Sequence, residues 1–527
     1  MKKIFRNILI TLIIGFIMFY LFLPAINPTN PGFWVFLLFI VIIYQGLDFI
    51  TSFRTYIFRN IRFEKKSLSL LLVPTIILII LMINLISGPV LNSKKYATRI
   101  TIDQTKSFEE DIKETDLTKL PLLDKSSSQK LGDRVMGQMS DMVSQYYVSN
   151  LYTQINYNNE IVRVTPLEYA SFIKWITNRK EGVKGYITVN SATGEAKLTR
   201  LDKGMKYVES GYFNDNLYRK LRFTYPTENF GKVSFEIDND GNPYWIVTTL
   251  KYHAIGMRAE VSGVIVLNAV TGESNKYTVG EIPTWIDQAY WAELIIEQVN
   301  DWGTYQKGFF NSIFAQKNVV NTTEGYNYLA INDDIYLYTG LTSIVSDESN
   351  LGFILTNMRT GETSFYATPG AEEFSAMASA EGAVQQMKYT STFPLLINLN
   401  GKPTYLVSLK DAAGLVKMYG FVDVADYQKV VVTDASKGIK VAAENYLGDE
   451  KIQTDESNLK EETIKIKTIT SAVIDGNTYY YIESDSNQKY KIQAKLSDNL
   501  PFLKSGSTLK VAYALDSEII NVKKVLK

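Results

Sequence analysis

Side chains able to do chemistry are few in this chain, and their neighbours narrow them further. Histidine occurs once in 527 residues, at His253, and cysteine is absent. Disulfides, thiolate metal sites, cysteine nucleophiles and multi-histidine metal sites are therefore excluded, and any His-based triad must be built on His253. That residue lies in "LKYHAIGMRAE", has no counterpart in related stretches, and reads as an incidental surface or satisfied core position. Ser127 and Lys130 form an S-x-x-K in "SSSQK", a pattern short enough to arise by chance, within a polar stretch. Glu372 and Glu373 are a carboxylate pair of the kind that does acid–base work. Neighbours on a helix point apart, however, and the charged first turn of a helix accounts for both. "EIDNDGNPYWIV" (236–247) crowds acids and amides around a glycine, as a calcium loop does. An EF-hand needs glutamate at its twelfth position, and counting from Glu236 puts Val247 there. Asp240-Gly241 supplies instead the positive φ of a tight hairpin turn. No Walker loop or dinucleotide fingerprint is present. No catalytic, cofactor-binding or metal-binding residue is assigned on these grounds.

Composition sets the broader limits. A chain of 527 residues predicts two to four folded units. Lys+Arg and Asp+Glu are both 55, so the formal charge is zero, which argues against a nucleic-acid partner. The 34 tyrosines suit half-buried sheets.

Three apolar runs open the chain: "ILITLIIGFIMFYLFLPAI" (8–26), "FWVFLLFIVIIYQGLDFI" (33–50) and "LSLLLVPTIILIILMINLISG" (68–88). Each is about long enough to cross a hydrocarbon core roughly 30 Å thick. The first differs from a cleaved signal peptide in its length and in lacking a small-residue cleavage site. Lys2, Lys3 and Arg6 precede the first run, and 51–67 holds Arg54, Arg59, Arg62, Lys65 and Lys66 against Glu64. Positive loops stay in the cytoplasm. The expectation is three transmembrane helices with the N-terminus inside and residues 91–527 outside. Lys94, Lys95 and Arg99 weakly oppose this. No ionisable group lies mid-span; Gln45 and Asp48 sit near one end of the second run and Asn84 near the outer end of the third, so the helices read as an anchor.

Outside the membrane the sequence repeats itself. "GYITVNSATGE", "GVIVLNAVTGE" and "GFILTNMRTGE" end in Thr193-Gly194-Glu195, Thr271-Gly272-Glu273 and Thr360-Gly361-Glu362, spaced by 78 and 89 residues. "MYGFVDVADYQK" (418–429) has the same shape with an altered turn. Apolar positions of 205–221 recur in 283–299 and 371–387 at helical spacing, and 434–447 is the fourth equivalent. "EIDNDGNPYWIVTTLK" has relatives at 155–164, 330–343 and 397–410, each apolar–turn–apolar. The unit predicted is hairpin, strand, Thr-Gly-Glu turn, strand, helix, repeated about four times over 151–450.

These stretches, "ITVNSATGEAKL", "IVLNAVTGESNKY" and "ILTNMRTGETSFY", resemble the PepSY family of small α+β modules found outside membranes. The third and fourth units are also similar to a multi-pass envelope protein family of Gram-positive bacteria. The resemblance implies binding: restraint of secreted peptidases, or sensing and assembly at the envelope.

Residues 91–150 lack the repeat and read as a stalk or adaptor. The charged segment 451–463 reads as a linker. Five short strands over 464–527 predict a small OB- or SH3-like β-barrel. There Tyr479, Tyr480, Tyr481 and Tyr490 are candidates for a stacking platform, although alternation must turn about half of them inward. Membrane-anchored α+β is thus the predicted class, with the three-helix anchor over 1–90. The expected role is a non-enzymatic envelope protein that contacts the lipid bilayer and binds a protein partner or wall polymer, with homo-oligomers open. Two alternatives stand beside it. One is a subunit of a transport or secretion assembly, using Gly15, Gly46, Gln45 and Asp48 as helix contacts. The other is a carboxylate-based envelope hydrolase, which needs two carboxyl groups across a cleft.

Overall fold

The computed structural model describes residues 2–59, 71–331, 333–344, 346–448, 460–474, 477–513 and 519–526. Residues 60–67 of the basic stretch after the second apolar run, 68–70 of the third run and 451–459 of the expected linker lie outside them. The chain divides into two units, Met1–Tyr446 and Leu447–Lys527.

Two helices, Lys2–Phe22 and Pro31–Arg59, contain the stretches Ile4–Phe22 and Pro31–Ile50, which are long and apolar enough to cross a membrane. They pack closely at Gly15, where a Cβ would come 2.7 Å from Ile40 Cδ1. The third apolar run differs from a single straight span. Its described part is a 16-residue helix, Leu72–Ser87, which bends by 53° into Pro89–Ala97. The bend has a covalent cause. Pro89 forces Gly88 out of the helical region (φ −67, ψ 167), and Pro89 then starts a new helix where its missing N–H costs nothing.

Four sheets follow in the first unit, antiparallel apart from one short edge strand of the third. Sheet one holds Thr153–Tyr157, Glu160–Tyr169, Val183–Asn190 and Ala196–Met205, with Tyr146–Val148 at an edge. Sheet two is Asn229–Ile237, Pro243–Lys251, Glu260–Asn268 and Ser274–Thr278 in sequence order. Sheet three is centred on Asp334–Ser343 and Ser346–Asn357, and sheet four on Lys402–Lys410 and Val416–Asp423. Each includes a hairpin at the expected place. Asn158 and Asn159 turn the first with φ 53 and 63, and Asn400 and Gly401 turn the last with φ 55 and 76. In sheet two the bend runs from Asp238 to Asn242, with Gly241 at φ 82. The Asp238 carboxylate accepts from Asp240 N and Asn242 N, so this acid does serve a turn.

The three Thr-Gly-Glu turns are built alike. Asn190, Asn268 and Asn357 each accept on Oδ1 from the two residues ahead of the glycine, for example Val270 N and Thr271 N at 2.9 Å. The threonine hydroxyl then accepts from the glutamate N–H at 3.2 Å in all three. Asp423 takes the asparagine's part in sheet four, accepting from Ala425 N and Asp426 N. The sequence signal was N-x-x-T-G-E, and its asparagine carries the turn.

Helix placement departs from expectation. The helices are Leu217–Thr224, Ala292–Tyr305, Glu373–Ala383 and Ile439–Leu447, so the first two start well inside the amphipathic windows 205–221 and 283–299. The preceding residues are largely irregular; Val208 and Ile286 among them are buried, while Tyr212 and Phe213 stay exposed. The second and third pack on the sheet that follows them, while the first sends Leu217 and Leu221 into a core common to sheets one and two and lays Arg222 on Phe230 of sheet two. The chain entering a helix donates to the residue just after the turn asparagine of the next sheet: Tyr207 N to Ala269 O, Tyr290 N to Met358 O, Ala371 N to Val424 O. Leu123 N makes the same bond to Ser191 O, and helix Lys125–Gly137 packs on sheet one behind it.

Residues 91–150, expected as a stalk or adaptor, are therefore packed against the sheets. Ile102–Asp103 pairs in parallel with sheet three. Thr115 N donates to Asn398 O of sheet four, and Ser408 Oγ to Leu122 O. Sheets one and two share one core, in which Trp175, Leu217, Phe235 and Trp245 are buried. Ala292, Ile295 and Val299 close the core of sheet three.

In the second unit, strands Lys460–Ile474, Asn477–Ser484, Lys489–Gln493, Ile519–Leu526 and Thr508–Tyr513 pair in a ring. Tyr480 and Tyr490 face its core with Ile466 and Ile492, while Tyr479 and Tyr481 lie under the Lys491 ammonium, 4.2 and 6.0 Å from it.

Candidate functional site

The densest buried chemistry sits where the first three sheets meet. Residues 234–237 are all buried because both faces of that strand end are covered. Glu236 therefore has no solvent contact, and it does not belong to the turn of "EIDNDGNPYWIV". Its carboxylate accepts from Asp287 N (2.9 Å), Gln288 N (3.1 Å) and Ser234 Oγ (3.1 Å). Asp287, 2% exposed, accepts from Asn156 N of sheet one at 2.7 Å. Gln288 Nε2 donates to Gln154 O, and Asn156 Nδ2 to Asp333 O, both at 3.1 Å. Nearby, Asp334 pairs with Arg359 at 2.7 and 2.9 Å. Burial pushes the Glu236 and Asp287 carboxyls well above the carboxylate range, and the charge of Glu236 pushes Asp287 further. Enclosed as they are, the two carboxyls bind main chain and cannot meet a substrate.

Two other buried carboxylates are engaged the same way. Glu168 accepts from Ser210 N at 2.9 Å and from Ser210 Oγ, and burial raises its pKa to about 7 against those bonds. Glu373 accepts from Tyr338 OH (2.6 Å) and Asn350 Nδ2 (3.2 Å), so it points into sheet three rather than pairing with Glu372. Sequence reasoning placed Glu236 in a turn and Glu373 in a helix turn; apart from Ser234 beside Glu236, their partners lie 23 to 52 residues away.

The remaining candidates do not converge. His253 Nε2 lies 2.7 Å from Glu260 Oε1. Ser127 Oγ and Lys130 Nζ reach neighbouring carbonyls, those of Gly414 and Ala413, instead of each other. Gly46 has nothing within 4 Å of a Cβ. Among the described residues no group of three or more acidic or histidine side chains is placed to hold a metal.

Among the described residues are two open clefts. One, about 830 Å³, lies between the strands of sheet one and the turns of sheet two, lined among others by Tyr157, Glu160, Lys197, Asp202, Asn242 and Thr271. Tyr186 OH donates to Gly241 O at 2.8 Å and ties its two sides together. The other, about 660 Å³, borders Arg99, Tyr290 and the Thr360-Gly361-Glu362 turn. Arg99 is already committed there: it pairs with Glu297 at 2.6 Å and with Asp301, and donates to Ala259 O at 2.9 Å.

No family profile matches the chain, and no curated protein matches it. Among solved structures it shows a likeness to the exo-β-1,3-galactanase of Phanerochaete chrysosporium: 8% identity, TM-score 0.17, 72% of this chain and 66% of that one. The chain thus spans just under two thirds of the galactanase. A GDP-Man-dependent mannosyltransferase from Leishmania mexicana gives 10% identity and a TM-score of 0.15, over 68% of this chain and 93% of that one. At these scores the likenesses carry no argument about fold or activity.

Proposed function

We propose that this chain is a non-enzymatic cell-envelope protein. Three N-terminal helices anchor it, the bent third pair counting as one span, with the N-terminus cytoplasmic. Its sheets, as four PepSY-like units, face outward with an OB- or SH3-like barrel and bind a protein partner or wall polymer in a regulatory or scaffold role. One observation carries the reading. The buried carboxylates that could have served catalysis are occupied by main-chain and hydroxyl donors, whereas the 830 Å³ cleft presents phenol, amide, carboxylate and ammonium groups at the surface. That mixture suits recognition of a polar polymer or peptide.

The test is in-cell crosslinking of the full chain with a membrane-impermeant reagent, followed by pull-down and mass spectrometry. A secreted or wall-borne partner captured by the wild type and lost with Tyr157→Ala and Asn242→Ala supports the reading. Capture that is indifferent to both substitutions refutes the cleft as its seat, and an unmodified ectodomain refutes the topology. The transport-assembly alternative is weakened because Gly15 is already filled by Ile40 of the same chain.

A further inference from the structure

Segment 308–316, "GFFNSIFAQ", leaves large apolar side chains in the open: Phe310 is 67% exposed, Ile313 51% and Phe314 80%. Their uncovered surface is on the order of 400 Å², at the size where a patch marks an interaction site rather than scatter. Phe310 and Phe314 stack with ring centroids 6.4 Å apart, so they present one surface. Phe309–Ala315 carries no charge, and exposed Lys307 and Lys317 bracket it.

Its neighbourhood identifies the occupant. The segment ends the helix Ala292–Tyr305, which packs along Pro89–Ala97, the bent continuation of the third apolar helix. Tyr305 meets Tyr96 ring to ring at 5.9 Å and stacks on Phe309, and a Cβ on Gly308 would lie 4.0 Å from Ser93 Oγ. The aromatic segment therefore sits a few residues from where a membrane helix emerges. The helix Leu217–Thr224 is held in a similar way, near the end of the first apolar helix. Phe223 packs on Phe19 and Tyr20 at 5.4 and 6.0 Å, and Phe19 lies within the span Ile4–Phe22, about three residues and so roughly 5 Å below its last residue.

We infer that Phe310, Ile313 and Phe314 form a membrane-interfacial foot, inserted among the lipid headgroups of the bilayer that holds the apolar helices. Aromatic side chains flanked by lysines are the chemistry that favours this depth: rings at the headgroup level, ammonium groups among phosphates. The same placement accounts for Lys94 and Lys95 on the far side of the third helix, where they meet headgroups as well.

The inference rests on the apolar helices being in the membrane, and the experiment separates the two. The chain has no cysteine, so Phe310→Cys, Phe314→Cys and Ile13→Cys each supply a sole thiol for an environment-sensitive nitrobenzoxadiazole label. Full-length protein is placed in nanodiscs with and without lipid spin-labelled near the headgroup or deep in the acyl chain. Labels at 310 and 314 are expected to be quenched most by the shallow spin label, and the label at 13 by the deep one. Quenching at 13 with none at 310 and 314 overturns the foot and leaves the span standing. No quenching at any site overturns the span itself. As a second measurement, Phe310→Ser/Phe314→Ser should raise proteolytic cleavage after Lys307 and Lys317 in nanodiscs; unchanged cleavage counts against the foot.

Discussion

Replacing Glu168 by glutamine should make sheet one more stable at pH 8 and slightly less stable at pH 4. The carboxyl is 2% exposed, and burial moves its pKa from the ordinary 4.5 to about 7. The folded chain thus holds this proton more tightly than the unfolded chain does. Its contribution is complete below the unfolded pKa and is lost as pH rises through about 7. Above both values the loss is about 3 kcal/mol. Glutamine copies the protonated form: its oxygen can keep the bonds from Ser210 N and Oγ, and its amide takes the place of Oε1, which has no partner. That unpaired amide costs about 1 kcal/mol at every pH. The variant should gain about 2 kcal/mol at pH 8, roughly 30-fold in local protection, and lose about 1 kcal/mol at pH 4. Hydrogen exchange at the Tyr169 and Ser210 amides, both in this network, reads the difference after correction for intrinsic rates. Faster exchange of the variant at pH 8 would refute the reasoning, because it would mean the carboxylate is stabilised as an anion.

The junction of the first three sheets should follow the same sign. Asp287→Asn removes a carboxyl pushed up by burial and by Glu236, so thermal melts at pH 5 and 8 should show the larger gain over the wild type at the higher pH. Asn268→Ala strips the acceptor from Val270 N and Thr271 N and should cost about 1–2 kcal/mol in denaturant titration. Gly272→Ala should destabilise far more than Gly401→Ala, although both have φ +76: a Cβ at 272 strikes the Tyr207 ring, whereas at 401 nothing lies within 4 Å. Gly401→Ala then isolates the backbone cost, about 1 kcal/mol, and equal melting points for the two would show that the ring moves freely.

What could be read beforehand was local. The Asp-Gly and Asn-Gly bends and the three Thr-Gly-Glu turns announced themselves, because a positive φ and an Asx turn are decided within a few residues. Which sheet a helix belongs to was not legible. Tyr207 must find Ala269 O, 62 positions away, before the ownership is settled. Glu236 looked like a turn acid because its donors, Asp287 and Gln288, come 51 and 52 residues later. Residues 91–150 read as a stalk or adaptor for the same reason: Asn398 and Ser408, their partners in sheet four, lie more than 280 residues on. Strand alternation also failed as a guide where both faces are covered, as at 234–237.

The short loop between the first two helices has a consequence for how the protein is made. Arg222 Nε binds Leu23 O at 3.0 Å, Ile26 N binds Pro226 O at 2.8 Å, and Asn30 Nδ2 binds Asn229 Oδ1 at 3.0 Å. All of these partners are translated nearly 200 residues after the loop, a delay on the order of 10–40 s at ordinary synthesis rates. On the proposed membrane anchoring, the helical hairpin reaches the bilayer with its docking groups unmet, bonded to water. It waits there as a landing point on which the helix Leu217–Thr224 settles when it emerges. A loop change that leaves both helices intact would then slow maturation before it lowered the stability of the finished protein, and newly made chains would show it first, as a longer window of protease sensitivity.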